Sequence, residues 1–358
     1  MSPGRVLVTG GAGFIGSAIV DALVADGVEV LAVDSLHPGA HDAEPAYTSP
    51  AAEHVRADVR DTDAMAGAVR GVDAVCHQAA MVGLGLDLGD IADYVANNDL
   101  GTAVLLRALH ERGFEGPIAL ASSMVVYGEG AYRCSTHGSV RPAPRSRADL
   151  DAGRYEPPCP RCEAPLTPEA IDEDAPLEPR NVYAATKLHQ EHLIAAYVRE
   201  HGGSAASLRY HNVYGPRMPR DTPYAGVASI FRSALERGEA PRVLEDGAQR
   251  RNFVHVSDVA RANLLALGSG ADGAFNIASP EPHTVGEMAT ALAAAFPGAP
   301  APEVVGGYRL GDVRHVFASP ERAQRELGFA AAVGFDDGMR SFATDELRAP
   351  AGRSAIRP

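Results

Sequence analysis

Short apolar segments alternate with helix-like segments through the first third of the chain, a pattern typical of βαβ units. The apolar spacing of Ile15–Ala25 predicts a helix, because its apolar residues recur on one helical face. Strands are predicted at five apolar runs: Arg5–Thr9, Val28–Val33, His54–Ala57, Ala74–His77 and Ile118–Ser122. Strands that alternate with helices in this way form a parallel sheet with helices on both faces.

The pattern changes after the fifth predicted strand and later returns. Glu129–Pro176 has little periodicity and is rich in Pro, Arg and Cys, so we predict an insertion or ordered loop, bounded at 130–178. A long helix is predicted at Tyr183–Glu200. A strand and a helix within 252–272 are expected to return to the first part of the fold.

These elements predict an α/β protein with a Rossmann-type doubly wound parallel sheet, a smaller C-terminal lobe and a Cys/His-containing insertion. We assign 1–212, together with 252–272, to the sheet domain. The smaller lobe is assigned to 213–251 and 273–345, and a flexible tail to 346–358.

Composition and charge narrow the class of protein. Hydrophobic residues make up 46% of the 358 residues and charged residues 22%, which is typical of a globular chain. No uninterrupted apolar run reaches the roughly 18 residues that a membrane helix needs. The net charge of −14 repels nucleic-acid backbones, so we expect neither nucleic acid nor membrane as a partner. The first residues lack a basic and apolar leader, so we expect a cytoplasmic protein.

A glycine-rich turn joins the first predicted strand to the first predicted helix. Gly10, Gly13 and Gly16 allow a tight turn and a close approach to a pyrophosphate, which the helix N-terminus attracts. Asp34 ends the next predicted strand, where a carboxylate binds the ribose hydroxyls of NAD and repels the 2′-phosphate of NADP. These features predict an NAD site; the alternative is a glycine-rich turn beside a surface aspartate.

Tyr183 and Lys187 lie four residues apart in the predicted long helix and therefore on one face. Lysine and arginine together number 32, and Lys187 is the only lysine. An ammonium group and a positive nicotinamide ring would lower the pKa of the phenol from its usual value near 10 and favour a phenolate base. We predict proton transfer by this pair; the alternative is an exposed helical pair without function.

The motif T-G-G-A-G-F-I-G at residues 9–16 resembles the extended branch of the short-chain dehydrogenase/reductase superfamily, which acts on nucleotide sugars. Two further motifs of that family are similar to H-Q-A-A at 77–80 and to N-x-x-G-T at 98–102. The resemblance covers nearly the whole chain except about 130–178 and the tail. It implies cofactor contacts from Gly10, Gly13, Phe14, Ile15, Gly16, Asp34, Asp58, Val59, Gln78, Ala79, Ala80, Asn98, Tyr183 and Lys187.

The segment S-S-M-V-V-Y-G resembles the S-S-x-x-V-Y-G segment of the same family. The resemblance implies that Ser123, its second residue, hydrogen-bonds the substrate oxygen being oxidised and completes a catalytic set with Tyr183 and Lys187. Sugar dehydratases of the family carry an acid and a base where this chain has Met124 and Val125. Neither side chain moves a proton, so dehydration and the related glucuronate decarboxylation are disfavoured. Redox at one carbon remains, as 4-epimerisation or ketone reduction.

Three later motifs, R-Y-H-N-V-Y-G-P, R-N-F-V-H-V-x-D-V-A and R-x-G-D, resemble segments with which the family binds a sugar diphosphate. Asn252 departs from the aspartate that the second motif usually carries. The planar guanidinium fork of arginine suits a diphosphate. The resemblance implies a substrate-binding C-terminal lobe and substrate contacts from Ser123, Asn212, Arg251, Arg309 and Asp312.

The insertion carries two short cysteine motifs. Cys134 and His137 form one C-x-x-H pair, and Cys159 and Cys162 form a C-x-x-C pair. Three thiolates and one imidazole are a common ligand set for structural zinc, which would order a loop with little apolar surface. We predict a zinc site; the alternatives are free cysteines in a flexible loop or a redox disulfide.

These motifs together predict an NAD-dependent nucleotide-sugar 4-epimerase. The insertion, P-Y-x-G-V at 223–227 and L-E-D-G at 244–247 resemble bacterial epimerases of dTDP-6-deoxyhexoses, which implies a substrate similar to dTDP-L-rhamnose. An NAD(P)H-dependent 4-ketoreductase, a non-enzymatic dinucleotide-binding regulator and a zinc-dependent interaction module are the alternatives. The resemblance also implies a homodimer, formed through the helix that carries Tyr183 and its neighbour.

Overall fold

The structure is a computed structural model that describes residues 3–83, 88–220 and 226–349. Its strands are β1 (Arg5–Thr9), β2 (Glu29–Asp34), β3 (Glu53–Arg56), β4 (Ala74–His77), β5 (Pro117–Ser123), β6 (Ala131–Cys134), β7 (Gly138–Val140), β8 (Thr167–Glu169), β9 (Ser204–Tyr210), β10 (Asn212–Tyr214), β11 (Arg242–Leu244), β12 (Arg250–Arg251), β13 (Phe253–His255), β14 (Gly273–Ile277), β15 (His283–Thr284) and β16 (Glu303–Gly306).

The α-helices are α1 (Phe14–Ala25), α2 (Thr62–Ala68), α3 (Ile91–Tyr94), α4 (Gly101–Arg112), α5 (Arg147–Asp151), α6 (Val182–His201), α7 (Val227–Glu236), α8 (Val256–Ser269), α9 (Val285–Ala294), α10 (Glu321–Leu327) and α11 (Phe335–Phe342). Short 3₁₀ turns occur at Leu88–Asp90 and Met124–Tyr127, and a π-helical turn at Val95–Leu100 leads into α4. Residues 223–225 of the predicted P-Y-x-G-V motif lie outside the described residues.

Seven parallel strands form the central sheet in the order β3-β2-β1-β4-β5-β9-β14. In β1, Val6 lies opposite Val30 of β2 on one side and Ala74 of β4 on the other. The inner strands are continuous apolar runs because helices bury both faces of the sheet. This strand order is that of doubly wound dinucleotide-binding folds, so the predicted fold class is confirmed.

Helices cover the two faces of the sheet with separate apolar cores. On one face, α1, α8 and α10 bury residues such as Ile19, Val259 and Leu327. On the other face, α2, α4 and α6 bury residues such as Leu109 and Ile194. Because both cores rest on the same strands, the carboxyl ends of those strands form one rigid edge.

The smaller lobe has its own core, formed mainly by α7, α9 and α11. One boundary of this lobe differs from the expected one. We placed β14 in the smaller lobe, but it is the edge strand of the central sheet, paired with β9. The helix α10 also belongs to the larger body, because Ala323 and Leu327 are buried in the core beneath α8. The apolar alternation of residues 273–277 does not indicate whether a strand there joins the central sheet or the smaller lobe.

The insertion, predicted from its composition as an ordered loop, contains regular elements. It contains a three-stranded antiparallel sheet in the order β7-β6-β8 and the short helix α5. These strands are three or four residues long and have too few apolar positions to produce a visible period.

The first residues of the predicted tail are packed rather than free. The carbonyl oxygens of Glu346 and Arg348 accept hydrogen bonds from the amides of Arg217 and Arg220, and Leu347 is buried. Residues 350–358 lie outside the described part of the chain. Within the described residues, the helices are all too short or too polar to span a membrane.

Candidate active site

The glycine-rich turn lies at the carboxyl edge of the sheet, between β1 and α1. Gly10 has a φ of +69°, and a Cβ there would lie 2.8 Å from the amide nitrogen of Ala79. A Cβ on Gly16 would lie 2.0 Å from the carbonyl oxygen of Gly10. Side chains are therefore excluded, and the N-terminus of α1, with Phe14 and Ile15 in its first turn, is open to a pyrophosphate.

Asp34 ends β2 at the same edge. Its carboxylate accepts hydrogen bonds from the amides of Ala12, at 3.0 Å, and Leu36, at 2.8 Å. These bonds fix the carboxylate beside the glycine-rich turn. The position suits recognition of a ribose diol, as the sequence predicts.

Asp58 and Val59 follow β3. Asp58 accepts two side-chain hydrogen bonds from Arg60, at 2.6 and 2.9 Å, and these bonds lower the pKa of its carboxyl group. Val59 packs against Gly101, where a Cβ would lie 2.7 Å from a methyl group of Val59. Both residues stand at the carboxyl edge, as expected for an adenine contact.

The segment after β4 is fixed by internal hydrogen bonds. The side chain of Gln78 accepts from the hydroxyl of Tyr210 and donates to Asn263, so its side-chain amide points into the protein. Asn98 is fully buried, and its amide bonds the backbone of Met81 and the hydroxyl of Thr186. The predicted cofactor contacts of Gln78 and Asn98 therefore remain predictions, while their side chains hold this edge together.

That segment also includes Ala79 and Ala80, which are half-buried. The amide of Ala79 donates to the hydroxyl of Thr9 at 3.2 Å. This bond holds Ala79 against Gly10, so backbone atoms line both sides of the predicted cofactor site.

Ser123, Tyr183 and Lys187 meet at the end of β5. The side chain of Asn181 caps α6 by accepting from the amide of Ala184 at 2.8 Å, which fixes the first turn of the helix. The ammonium group of Lys187 lies 5.9 Å from the centroid of the Tyr183 ring and donates to the carbonyl oxygen of Ala121 at 2.8 Å. The predicted single-face arrangement of tyrosine and lysine is present.

Burial controls the acidity of this pair in the cofactor-free protein. Desolvation raises the pKa of the Tyr183 phenol, and a hydrogen bond with Ser123 opposes this shift. Desolvation also lowers the pKa of the Lys187 ammonium to about 7, against the attraction of Asp99 and Glu191. We expected Lys187 to acidify Tyr183; in the protein alone, desolvation sets the direction of the shift in the pKa of Tyr183. The positive nicotinamide ring of bound NAD⁺ would add a charge that favours the phenolate.

A buried ion pair beside the catalytic residues was not predicted. Arg209 donates to both oxygens of Glu191, at 3.0 and 2.8 Å, and to the hydroxyl of Tyr127 at 2.9 Å. The hydroxyl of Ser122 donates to the same carboxylate. Glu191 lies four residues after Lys187 on α6, so helical spacing was the signal that could have identified it.

Three of the predicted substrate residues, Arg251, Arg309 and Asp312, lie on or against one segment of the smaller lobe. Arg251 donates to the carbonyl oxygens of Arg314, at 2.9 Å, and Val313, at 2.8 Å. Among the described residues, no carboxylate forms an ion pair with Arg251, so its charge is available to an anion. Asp312 lies within electrostatic reach of Arg251 and Arg309.

Two asparagines near this segment have different environments. The side-chain oxygen of Asn212 is buried and has no hydrogen-bond partner among the described residues, as expected of a ligand contact. Asn252, which departs from the family motif, donates to the carbonyl oxygen of Ser279 and accepts from the amide of Ala318. The departure is therefore accommodated by two backbone bonds.

Cys134, His137, Cys159 and Cys162 bring their ligand atoms within 4.8 Å of one another. The sulfur of Cys134 lies 3.7 Å from that of Cys162, and the Nδ1 atom of His137 lies 3.6 Å from two of the sulfurs. Tetrahedral zinc, with Zn–S of about 2.3 Å and Zn–N of about 2.05 Å, requires separations of about 3.8 and 3.6 Å. The cluster therefore fits a tetrahedral metal ion.

Backbone hydrogen bonds favour the thiolate form that a metal needs. The amides of Thr136 and His137 point at the sulfur of Cys134 and lower its pKa to about 6. The donor set and its spacing therefore fit a metal ion.

Comparison with known proteins agrees with this geometry. A model of the NAD dependent epimerase/dehydratase family matches residues 6–147 and 160–278. A dTDP-L-rhamnose 4-epimerase of Burkholderia thailandensis is 34% identical over 348 residues, which cover 95% of this chain and 94% of that protein. A UDP-glucose 4-epimerase of Mycolicibacterium smegmatis is 30% identical over 341 residues, which cover 94% and 96%. The crystal structure of a Thermus thermophilus UDP-glucose 4-epimerase in complex with NAD has a TM-score of 0.75 and 32% identity, covering 95% of this chain and 98% of that chain.

The chain belongs to the NAD-dependent epimerase/dehydratase family. The family that the motifs predicted is confirmed, as is the prediction of an enzyme of this class. The gap between the two matched ranges, residues 148–159, lies inside the insertion.

Proposed function

We propose that the protein is a nucleotide-sugar 4-epimerase, an isomerase that oxidises C4 of a sugar transiently and returns the hydride to the opposite face. One observation carries the proposal. Ser123, Tyr183 and Lys187 meet at the end of β5, while Met124 and Val125 occupy the positions where dehydratases carry an acid and a base. The similarity to two proteins named as 4-epimerases supports the same reaction.

The roles of the side chains follow from their positions. Bound NAD⁺ supplies the acceptor, and after reduction the donor, of one hydride. Tyr183 accepts the proton of the C4 hydroxyl in the first half-reaction and returns it in the second. Ser123 donates a hydrogen bond to the same sugar oxygen, and the ammonium group of Lys187 balances the phenolate charge.

We propose a dTDP-6-deoxyhexose similar to dTDP-L-rhamnose as the substrate. The similarity to the Burkholderia enzyme over nearly the whole chain supports this choice. Arg251 and Arg309 would bind the diphosphate, with Asn212 and Asp312 in contact with the nucleotide sugar. A UDP-hexose is the competing substrate, because the Mycolicibacterium and Thermus relatives are named for UDP-glucose.

The test is an assay with dTDP-L-rhamnose and, separately, UDP-glucose, followed by sugar NMR and by absorbance at 340 nm. Formation of the 4-epimer of the dTDP sugar without net change at 340 nm supports the proposal. Epimerisation of UDP-glucose alone overturns the substrate assignment but keeps the reaction. Stoichiometric cofactor turnover would identify a ketoreductase instead.

We propose in addition that Cys134, His137, Cys159 and Cys162 bind one structural zinc ion. Four protein ligands complete a tetrahedron and leave no open position, so the ion would have no catalytic role. Purified protein is expected to contain about one zinc per chain by elemental analysis, and Cys162→Ser to contain far less. Equal metal contents of the two proteins would contradict the assignment, and thiol titration would then separate free cysteines from a disulfide.

We propose a homodimer formed through α6 and its neighbour α4. Four large apolar side chains before α4 are exposed to solvent: Leu88, Ile91, Val95 and Leu100. A cluster of this kind is typical of a protein interface. Light scattering should report a dimer that Leu100→Glu weakens, while Val304→Glu, at an exposed site on β16, should not. A monomeric wild-type protein contradicts the proposal.

A further inference from the structure

The insertion makes several polar contacts with one segment of the smaller lobe, residues 308–315. The hydroxyl of Tyr308 donates to the carboxylate of Asp151 at the end of α5, at 2.5 Å. The guanidinium of Arg145 donates to the carbonyl oxygen of Asp312 at 2.8 Å. Segment 308–315 also carries Arg309, so the insertion contacts the part of the lobe that bears two predicted substrate residues.

A second group of contacts fixes Arg314 within this segment. Its side chain is only 1% exposed and forms ion pairs with three carboxylates. Glu245 and Asp246 come from the lobe itself, whereas Glu156 comes from the insertion and lies 2.8 Å from the Nε atom. Glu156 also pairs with His315 at 3.0 Å. Glu156 therefore holds the side chains of both Arg314 and His315, and through them it tethers residues 314–315 to the insertion.

A third contact comes from β6. The hydroxyl of Tyr132 accepts from the amide of His315 at 3.3 Å and donates to Glu129, which accepts from the amide of Arg314 at 2.9 Å. The backbone of 314–315 is therefore held by two separate parts of the insertion, β6 and the loop around Glu156.

The backbone of this segment, at residues 313 and 314, also orients Arg251. The guanidinium of Arg251 donates to the carbonyl oxygens of Val313 and Arg314. A shift of that segment would therefore redirect Arg251, whose guanidinium forms no ion pair with a carboxylate among the described residues. The insertion therefore acts on the proposed diphosphate site through the backbone of 313–315 and not by direct contact with Arg251.

The cysteine and histidine cluster joins the two parts of the insertion that hold this backbone. Cys134 lies two residues after Tyr132, and Cys159 lies three residues after Glu156. The sulfur of Cys134 lies 3.7 Å from that of Cys162. One metal ion at this cluster would fix the distance between the two segments.

We propose that the metal cluster and Glu156 position the diphosphate-binding residues, so that metal loading sets the affinity for the nucleotide part of the substrate. The inference rests on the proposed nucleotide-sugar function. Glu156 is a positioning residue, because it acts on Arg251 through Arg314 and does not contact substrate. It lies within 148–159, the stretch that the family model does not match.

The first experiment compares metal-loaded protein with protein dialysed against a zinc chelator, both with NAD⁺ bound. Titration calorimetry with dTDP and with UDP measures the nucleotide affinity directly, without turnover. We expect metal removal to weaken binding of the preferred nucleotide by about 10-fold and zinc to restore it, with NAD⁺ retained. Equal nucleotide affinity with and without metal overturns the inference.

A second experiment tests positioning without removing the metal. Glu156→Gln is expected to raise KM for the sugar nucleotide and the dissociation constant of the nucleotide by about 5- to 10-fold, with kcat and zinc content unchanged. Glu169→Gln is the matched control, because Glu169 pairs only with the exposed Arg133 on β6. If Glu156→Gln behaves like the control, the inference is overturned. This result can be obtained even if the metal-free protein unfolds, because the metal stays bound in this experiment.

Failure of the proposed nucleotide-sugar function and failure of the positioning role give different results. If neither dTDP nor UDP binds the metal-loaded wild-type protein, the nucleotide-sugar function itself is wrong. If a nucleotide binds but neither metal removal nor Glu156→Gln changes its affinity, only the positioning role is wrong.

Discussion

The catalytic edge of the sheet and the insertion both hold a few polar groups in place, but by different means. Tyr183 and Lys187 stand on a 20-residue helix that packs on a seven-stranded sheet with apolar cores on both faces. The insertion has strands of three or four residues and a five-residue helix. It is tied instead by ion pairs to the smaller lobe, and it carries the cluster of cysteine and histidine side chains that we propose binds zinc. A large apolar core positions side chains through packing, whereas a segment without one depends on specific polar bonds.

A buried arginine forms ion pairs at each region, Arg209 within the sheet domain and Arg314 of the smaller lobe against the insertion. Arg209 pairs with Glu191 inside the sheet domain, so both partners are positioned by elements of the same core. Arg314 pairs with Glu245 of the lobe and with Glu156 of the insertion. Loss of the Arg209–Glu191 pair is expected to destabilise the fold. Loss of Glu156 as a partner of Arg314 is expected to loosen the proposed diphosphate site instead.

The largest effect is expected for a substitution that lowers activity without changing stability. Tyr183→Phe removes the general base and should lower kcat by about 10²- to 10⁴-fold, with NAD content and melting temperature unchanged. Tyr197→Phe on the same helix is the control, because the hydroxyl of Tyr197 only donates to the carbonyl oxygen of Phe114. It should lose about 1 kcal/mol of stability and keep its activity. Full activity of Tyr183→Phe would falsify the assignment of the base.

The second prediction concerns the buried ion pair of the sheet domain. Glu191→Gln leaves the Arg209 guanidinium without its countercharge, so the free energy of unfolding should fall by about 3–5 kcal/mol in urea titrations. Glu111→Gln, which breaks the exposed pair with Arg107, should cost only about 0.3–0.5 kcal/mol. Similar losses in the two variants would mean that the buried pair is not a structural element of the catalytic edge.

The third prediction uses the lowered pKa of Lys187. Because burial lowers it to about 7 from 10.5, the unfolded chain binds a proton between about pH 7 and 10.5 that the folded chain does not. Stability of the NAD-free protein, relative to Lys187→Met, should therefore rise with pH across that window, by up to about 1.4 kcal/mol per unit. Denaturation curves of the two proteins that stay parallel from pH 7 to 10 would contradict the shift.

The smallest expected effect is on the global stability of the insertion variant. Cys162→Ser should loosen the insertion, so that limited proteolysis cuts within 131–178, while the global free energy of unfolding changes by about 1 kcal/mol or less. The reason is that the insertion adds few apolar contacts to either core. A global loss as large as that of Glu191→Gln would show that the two regions fold as one unit.

Local patterns in the sequence were sufficient to predict much of the sheet and the cofactor edge. Short apolar runs predicted β1, β2, β4 and β5, because strands buried on both faces are continuously apolar. The glycine spacing and the tyrosine–lysine spacing predicted two groups of residues that the structure brings to one edge of the sheet. β14 was misplaced because a short apolar run does not record which sheet it joins.

The sequence by itself determined the chemistry: the glycines that leave room for a close approach to the backbone, the single lysine one helical turn after Tyr183, and the four cysteine and histidine side chains proposed as zinc ligands. These features are encoded by residue type and by spacing along one element. Only the tertiary structure decided the acidity of Tyr183, which depends on burial, and the ion-pair partners of Arg314, which come from two distant segments. Desolvation and long-range ion pairing depend on which segments meet in space, and spacing along the chain does not specify that.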